Sequence, residues 1–120
     1  RFLTGLRMGI AEKDLPIAGE LKDRVLQVEG ARVRRIILFG SRARGNARPD
    51  SDFDLLVVLH GVTQEEVMSS RRSLYGVLGD VGVSVEPWVM SDVEFEETKG
   101  VIGGLAYPAS REGVVLYENP

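Results

Sequence analysis

The sequence contains no cysteine and a single histidine among its 120 residues. The absence of cysteine excludes disulfide bonds, thiolate zinc sites and cysteine nucleophiles, and it is compatible with the cytosol. Long hydrophobic runs are also absent. The longest, centred on Leu55–Leu59, is far shorter than the roughly 20 residues that a membrane-spanning helix requires. We therefore expect a cytoplasmic protein that is not inserted in a membrane.

The sequence also has no large excess of positive or negative charge, because the net charge is only −3. Proteins that bind long nucleic acids usually present a strongly positive surface, so the sequence does not favour that class. A length of 120 residues is sufficient for one domain with an apolar core but not for two. Since no linker or internal repeat divides the chain, residues 1–120 are predicted to form a single domain.

The chain alternates between patterns typical of helices and of strands. Helices are predicted at residues 14–29, where Asp14 can cap the first turn, and at 63–81, which begins with capping-box spacing. A third helical region, 100–113, is expected to be broken by Pro108. Strands are predicted at 35–39, 52–59, 82–90 and 114–117. The second strand is apolar on both faces and should be central, whereas the proline in the third indicates an edge.

The stretch between the first two strands is unusual. Gly40 and Ser41 end the first strand, and after ten intervening residues Asp52 and Asp54 open the second. A glycine lets a ligand approach the backbone, and amides and a hydroxyl at the start of a helix can donate to phosphate oxygens. Alternate strand residues share a face, so the two carboxylates should lie about 6–7 Å apart and repel unless a cation separates them. Oxygen ligands without cysteine favour Mg²⁺, and magnesium beside a phosphate cradle suits phosphoryl or nucleotidyl transfer.

A third acid, Glu86, interrupts the apolar pattern of the third predicted strand. We predict that it joins Asp52 and Asp54 at the metal and accepts the proton of an acceptor hydroxyl. Arg42, next to the Gly-Ser pair, is either a solvated loop charge or a phosphate ligand. Structural alternatives exist for each residue: the aspartates could form a turn, Gly40 could simply end a strand, and Glu86 could be a partly exposed strand residue.

Gly40-Ser41, ten residues and then Asp52-x-Asp54 resembles the signature of the DNA polymerase β-like nucleotidyltransferase superfamily. The short chain and its "REGVVLYE" ending resemble the minimal nucleotidyltransferases of that superfamily. The resemblance implies an α/β (α+β) fold, a mixed β-sheet with flanking helices. It implies that the aspartates bind two Mg²⁺ ions on ATP and that the Gly-Ser pair holds its β- and γ-phosphates. Glu86 stands where the family commonly has an aspartate. Its extra methylene moves the carboxylate by about a bond length, so the motif supports metal–nucleotide binding more firmly than turnover.

The resemblance also implies a partner. Minimal nucleotidyltransferases are often paired with a helical HEPN-domain protein, and in that family the nucleotidyltransferase is the antitoxin that transfers AMP from ATP to a tyrosine of the toxin. It implies a separate HEPN partner, in a homo- or hetero-oligomer, because the larger relatives' helical acceptor-binding domain is not expected here. Two alternatives remain: a binding module that neutralises its partner by occlusion, and a small-molecule nucleotidyltransferase of the antibiotic-modifying kind.

Overall fold

Four strands form one mixed sheet in the order β3-β2-β1-β4 in this computed structural model, which describes residues 9–120. The strands are β1 (Val33–Phe39), β2 (Phe53–Leu59), β3 (Val85–Ser91) and β4 (Val114–Glu118). Strand β1 pairs antiparallel with β2 and β4, whereas β2 pairs parallel with β3. The mixed sheet confirms the predicted fold class, and β3 lies at an edge, as its Pro87 indicated.

Five helices flank the sheet. They are α1 (Leu15–Glu29), α2 (Ser41–Arg44), α3 (Gln64–Leu78), α4 (Asp92–Thr98) and α5 (Ala106–Glu112). Short 3₁₀ turns precede and follow α1. Within the described part of the chain, every helix is too short or too polar to cross a lipid bilayer.

The sheet separates two apolar layers, and β2 contributes to both. Phe53, Leu55 and Val57 pack in the layer formed with α1 and α3, whereas Leu56 and Val58 pack in the layer formed with α4 and α5. All five side chains are inaccessible to solvent. The apolar run therefore marks a central strand, as predicted, and it fixes the polar residues at the start of β2 to the edge of the core.

The helix starts differ from the sequence-based expectations at one position. Helix α3 begins with the predicted capping box, in which Thr63 and Glu66 satisfy each other's backbone N–H groups. Helix α1 has Pro16 in its first turn, but the prediction that Asp14 caps this helix is wrong. Its side chain makes no capping hydrogen bond because it is buried and paired with Arg42.

The C-terminal helix also differs from the prediction. Instead of a helix over 100–113 broken at Pro108, turns occupy the first residues and α5 begins only at Ala106. Pro108 then lies in the first helical turn, where its missing N–H removes no intrahelical hydrogen bond. The last predicted strand is present as β4, and the single histidine, His60, lies in the turn after β2.

Candidate active site

A sharp bend joins β1 to the short helix α2. Gly40 has a φ of +78°, a backbone conformation that strains residues with a side chain. A Cβ added at this glycine would lie 2.5 Å from Oδ2 of Asp54. The antiparallel pairing of β1 with β2 produces this proximity, since Phe39 pairs with Asp54. The structure thus brings the Gly-Ser bend (Gly40–Ser41) against one of the two predicted metal ligands.

The two aspartates lie at the start of β2 in different environments. Asp52 is exposed, whereas Asp54 is half-buried. Burial raises the pKa of Asp54, the negative charges of Asp52 and Glu86 raise it further, and Arg44 opposes the shift. A carboxylate that is desolvated and surrounded by other acids is stabilised when a cation binds beside it. The pair therefore fits a divalent cation by the chemistry of its oxygen donors.

Glu86 has the expected backbone position but not the expected side-chain contacts. Strand β3 places it opposite Asp54 in the parallel register. Its Oε2, however, accepts hydrogen bonds from Arg71, at 2.9 Å, and from the hydroxyl of Tyr75, both on α3. Over residues 9–120, no three His, Cys, Asp or Glu side chains are arranged to hold a metal ion. The oxygen donors of the two aspartates are consequently suited to a cation, and the structure does not show Glu86 as a third ligand in this arrangement.

Arg42 is directed away from the Gly-Ser bend and into the protein. Its guanidinium is buried and donates to Oδ2 of Asp14 (3.2 Å) and to the carbonyl oxygens of Ser51 (3.0 Å) and Pro49 (3.2 Å). It also lies 4.6 Å from the ring centroid of Phe53. These contacts occupy the side chain, so we replace its predicted phosphate contact with a structural role. Arg42 holds the loop that connects the bend to the aspartates.

Arg71 and Tyr75 are the site residues that sequence reasoning missed. A signal for Arg71 exists, because Val67, Arg71, Leu74 and Leu78 follow the helical stripe that faces the core. An arginine in such a stripe is partly desolvated, so its guanidinium is expected to reach a polar partner. The partner could not be read from the pattern, since it lies on another element of the fold.

Comparison with known proteins identifies the family. A family model described as a nucleotidyltransferase domain matches residues 17–105, a range that includes the Gly-Ser bend, both aspartates and Glu86. The chain belongs to the nucleotidyltransferase domain family. The prediction of a nucleotidyltransferase is thereby confirmed. No curated protein matches the sequence significantly.

Solved structures show the same fold at low identity. A protein from Sulfolobus solfataricus that is considered a nucleotidyltransferase has a TM-score of 0.61 and 21% identity, with 89% of this chain and 82% of that chain covered. A toxin–antitoxin structure with AMP-PNP has a TM-score of 0.55 and 17% identity, covering 84% and 73%. The toxin–antitoxin MntA-HepT has a TM-score of 0.51 and 15% identity, covering 87% and 73%. The predicted resemblance to nucleotidyltransferases of toxin–antitoxin pairs is therefore confirmed for the fold.

Proposed function

We propose that this nucleotidyltransferase transfers AMP from magnesium-bound ATP to a hydroxyl of a protein partner, a tyrosine of a HEPN toxin, and so acts as an antitoxin. The observation that supports it most directly is the close approach of Gly40 to the desolvated Asp54, which brings the proposed phosphate cradle beside the proposed cation site. The similarity in fold to a toxin–antitoxin structure with AMP-PNP and to MntA-HepT supports the nucleotide and the partner class.

Each residue has a distinct role in this proposal. Asp52 and Asp54 would hold Mg²⁺, which neutralises the charge of the triphosphate when it is bound. Gly40 leaves room for the phosphates and Ser41 donates its hydroxyl to them. The acceptor oxygen attacks the α-phosphorus, its proton passes to Glu86 once this side chain leaves Arg71, and pyrophosphate departs from the opposite side.

A second candidate function is neutralisation of the partner by occlusion alone. The specific observation in its favour is that the Glu86 carboxylate accepts hydrogen bonds from Arg71 and Tyr75 in this structure. A protein without a proton acceptor at this position would retain its binding surface and lose turnover.

Label transfer distinguishes the two functions. We expect the protein to transfer label from ATP labelled at the α-phosphate to its HEPN partner in Mg²⁺, and we expect Asp52→Ala or EDTA to abolish the transfer. Asp50→Ala is the matched control, since it removes an exposed acid from the same loop. Neutralisation of the partner that survives Asp52→Ala without any label transfer would contradict the enzymatic proposal and support occlusion.

Gly40→Ala is expected to weaken magnesium-dependent ATP binding by about tenfold or more, because the added Cβ displaces the Asp54 carboxylate and small displacements have large effects on such sites. Gly61→Ala is the control: Gly61 also has a positive φ, +52°, but a Cβ there meets no atom within 4 Å. Gly40→Ala carries the larger backbone strain, because a φ of +78° with a ψ of −161° is almost confined to glycine. Thermal unfolding is therefore measured beside calorimetric ATP binding, so that an effect on Asp54 is separated from a loss of stability. Equal ATP affinities in the two variants would count against the proposed site.

A further inference from the structure

Arg71 crosses from one face of the sheet to the other around the edge strand. Helix α3, which contains it, packs in the layer with α1. Glu86 is in register with Asp54, and Trp88 with Leu56, so both side chains point to the opposite layer. Arg71 therefore reaches its partner only by passing over the outer edge of β3, where no further strand is present in the described sheet.

Hydrogen bonds and a ring contact fix Arg71 in this position. Its Nε donates to the carbonyl oxygen of Pro87 at 2.7 Å, and its Nη2 donates to Oε2 of Glu86 at 2.9 Å. Its guanidinium lies 4.0 Å from the ring centroid of Trp88. Tyr75, one helical turn further along α3, donates its hydroxyl to the same Oε2 and accepts from Arg71. We call Arg71 and Tyr75 together the α3 clamp.

We propose that Arg71 is a positioning residue that holds the Glu86 carboxylate out of the metal site, so that Asp52 and Asp54 alone bind the divalent cation until the α3 clamp opens. The inference rests on the proposed function, because it assigns the state of the third acid in that site. Glu86 is opposite Asp54 along the backbone, yet the only charged group bonded to it in the described structure is Arg71.

The exposure of the pair makes the clamp reversible. The Arg71 and Glu86 side chains are 34% and 32% exposed, so solvent weakens their attraction and the pair contributes little to folding. A divalent cation carries twice the charge of a guanidinium and competes for the same carboxylate. Glu86 can therefore move from Arg71 to a bound cation without disturbing the core. Because Arg71 competes for the Glu86 carboxylate, it lowers the affinity of the site for the cation.

Mn²⁺ binding without nucleotide tests this inference by a readout that is independent of turnover. We expect Arg71→Met to raise the Mn²⁺ affinity about tenfold, as measured by the electron paramagnetic resonance of the free ion, because one more carboxylate becomes available to a divalent cation. Arg72→Met is the matched control, since Arg72 is the next residue of α3 and is exposed. It removes the same charge and should leave the affinity unchanged.

A double-mutant cycle separates release of Glu86 from simple charge repulsion. In a Glu86→Gln background, Arg71→Met should no longer change the Mn²⁺ affinity. An equal gain in both backgrounds, or no gain in either, would overturn the proposal. Should Arg71→Met not fold, Arg71→Lys serves instead: it keeps the charge but cannot bridge Pro87 and Glu86 together, and a smaller gain that depends on Glu86 is expected.

The outcomes also distinguish this inference from the proposed function. Mn²⁺ binding that responds to Arg71→Met, together with an absence of label transfer to any partner, would leave the inference standing and contradict the transferase proposal. Label transfer together with an Mn²⁺ affinity that does not respond to Arg71→Met would support the transferase proposal and overturn the inference about Arg71. Absence of Mn²⁺ binding in both the parent protein and Arg71→Met would overturn both.

Discussion

Asp54→Asn is expected to reduce label transfer about a thousandfold, because loss of a proposed metal ligand would remove several kcal/mol of charge stabilisation. The same change is expected to stabilise the metal-free protein. The Asp54 carboxylate is desolvated and lies near two other acids, all of which raise its pKa. An amide at this position would relieve the repulsion without changing the shape of the side chain. A residue that destabilises the fold and is required for activity is typical of a functional site.

The pH dependence of stability follows from the sign of this shift. The folded protein holds the Asp54 proton more tightly than the unfolded chain does, since burial and acidic neighbours raise the folded pKa above the ordinary 3.8. The free energy of unfolding therefore falls as pH rises from the ordinary value through the raised one, and it stays lower above that range. In EDTA, the unfolding temperature of Asp54→Asn should exceed that of the parent protein. The difference should be small in acid and should reach its largest value at neutral pH.

Asp52→Asn provides the comparison for this prediction. Asp52 is exposed, so its substitution should reduce label transfer as well but raise the unfolding temperature less than Asp54→Asn does. A lower unfolding temperature for Asp54→Asn at neutral pH would contradict the prediction. It would mean that the fold itself stabilises the charge of Asp54 and that a cation is not needed there.

The part of this site that could be predicted from the sequence is the part formed by two consecutive strands. The first two strands are neighbours in the chain, and an antiparallel pair joined by a short segment necessarily brings the residue after β1 near the start of β2. The apolar run of β2 marked it as central, which placed Asp54 at the edge of the core. The proximity of Gly40 and Asp54 therefore required only local pattern and the usual pairing of sequential strands.

The side-chain directions of Glu86 and Arg42 could not be predicted in the same way. Glu86 is bound by Arg71, 15 residues earlier on another element, and Arg42 by Asp14, 28 residues earlier. Each contact depends on how a helix packs across the sheet, which periodicity does not specify. The same reason explains why the capping prediction for Asp14 failed. Aspartate is a common residue at helix N-caps, but here its carboxylate forms a stronger interaction with the buried guanidinium of Arg42.

Arg42→Met is the second large effect that we expect, and it concerns stability rather than chemistry. Arg42 and Asp14 form an ion pair whose side chains are each only 6% exposed. Removing one partner leaves the other as an uncompensated buried charge, which costs about 3–5 kcal/mol. For a domain of this size, the unfolding temperature should fall by about 10–20 °C. Chemical denaturation and thermal unfolding of the metal-free protein measure the loss directly.

Arg44→Met is the matched control, since it removes the same charge from the same short helix. Arg44 is 44% exposed, and its nearest acid, Glu112, is 4.0 Å away, so the change should alter stability by less than about 1 kcal/mol. The double variant Asp14→Leu with Arg42→Met should recover part of the loss, because neither charge is then buried alone. Similar stability for Arg42→Met and Arg44→Met would contradict the structural role of the buried pair.

The same variant distinguishes that structural role from a phosphate contact at Arg42. The guanidinium binds the carbonyl oxygens of Pro49 and Ser51, so its loss releases the loop that leads into Asp52. We therefore expect Arg42→Met to weaken magnesium-dependent ATP binding only together with a large loss of stability, and the double variant to restore both in part. If Arg42→Met instead unfolds like the parent protein but no longer binds ATP, Arg42 contacts the phosphates directly. Loss of ATP affinity without loss of stability would mean that the loop is intact and that a ligand of the nucleotide has been removed.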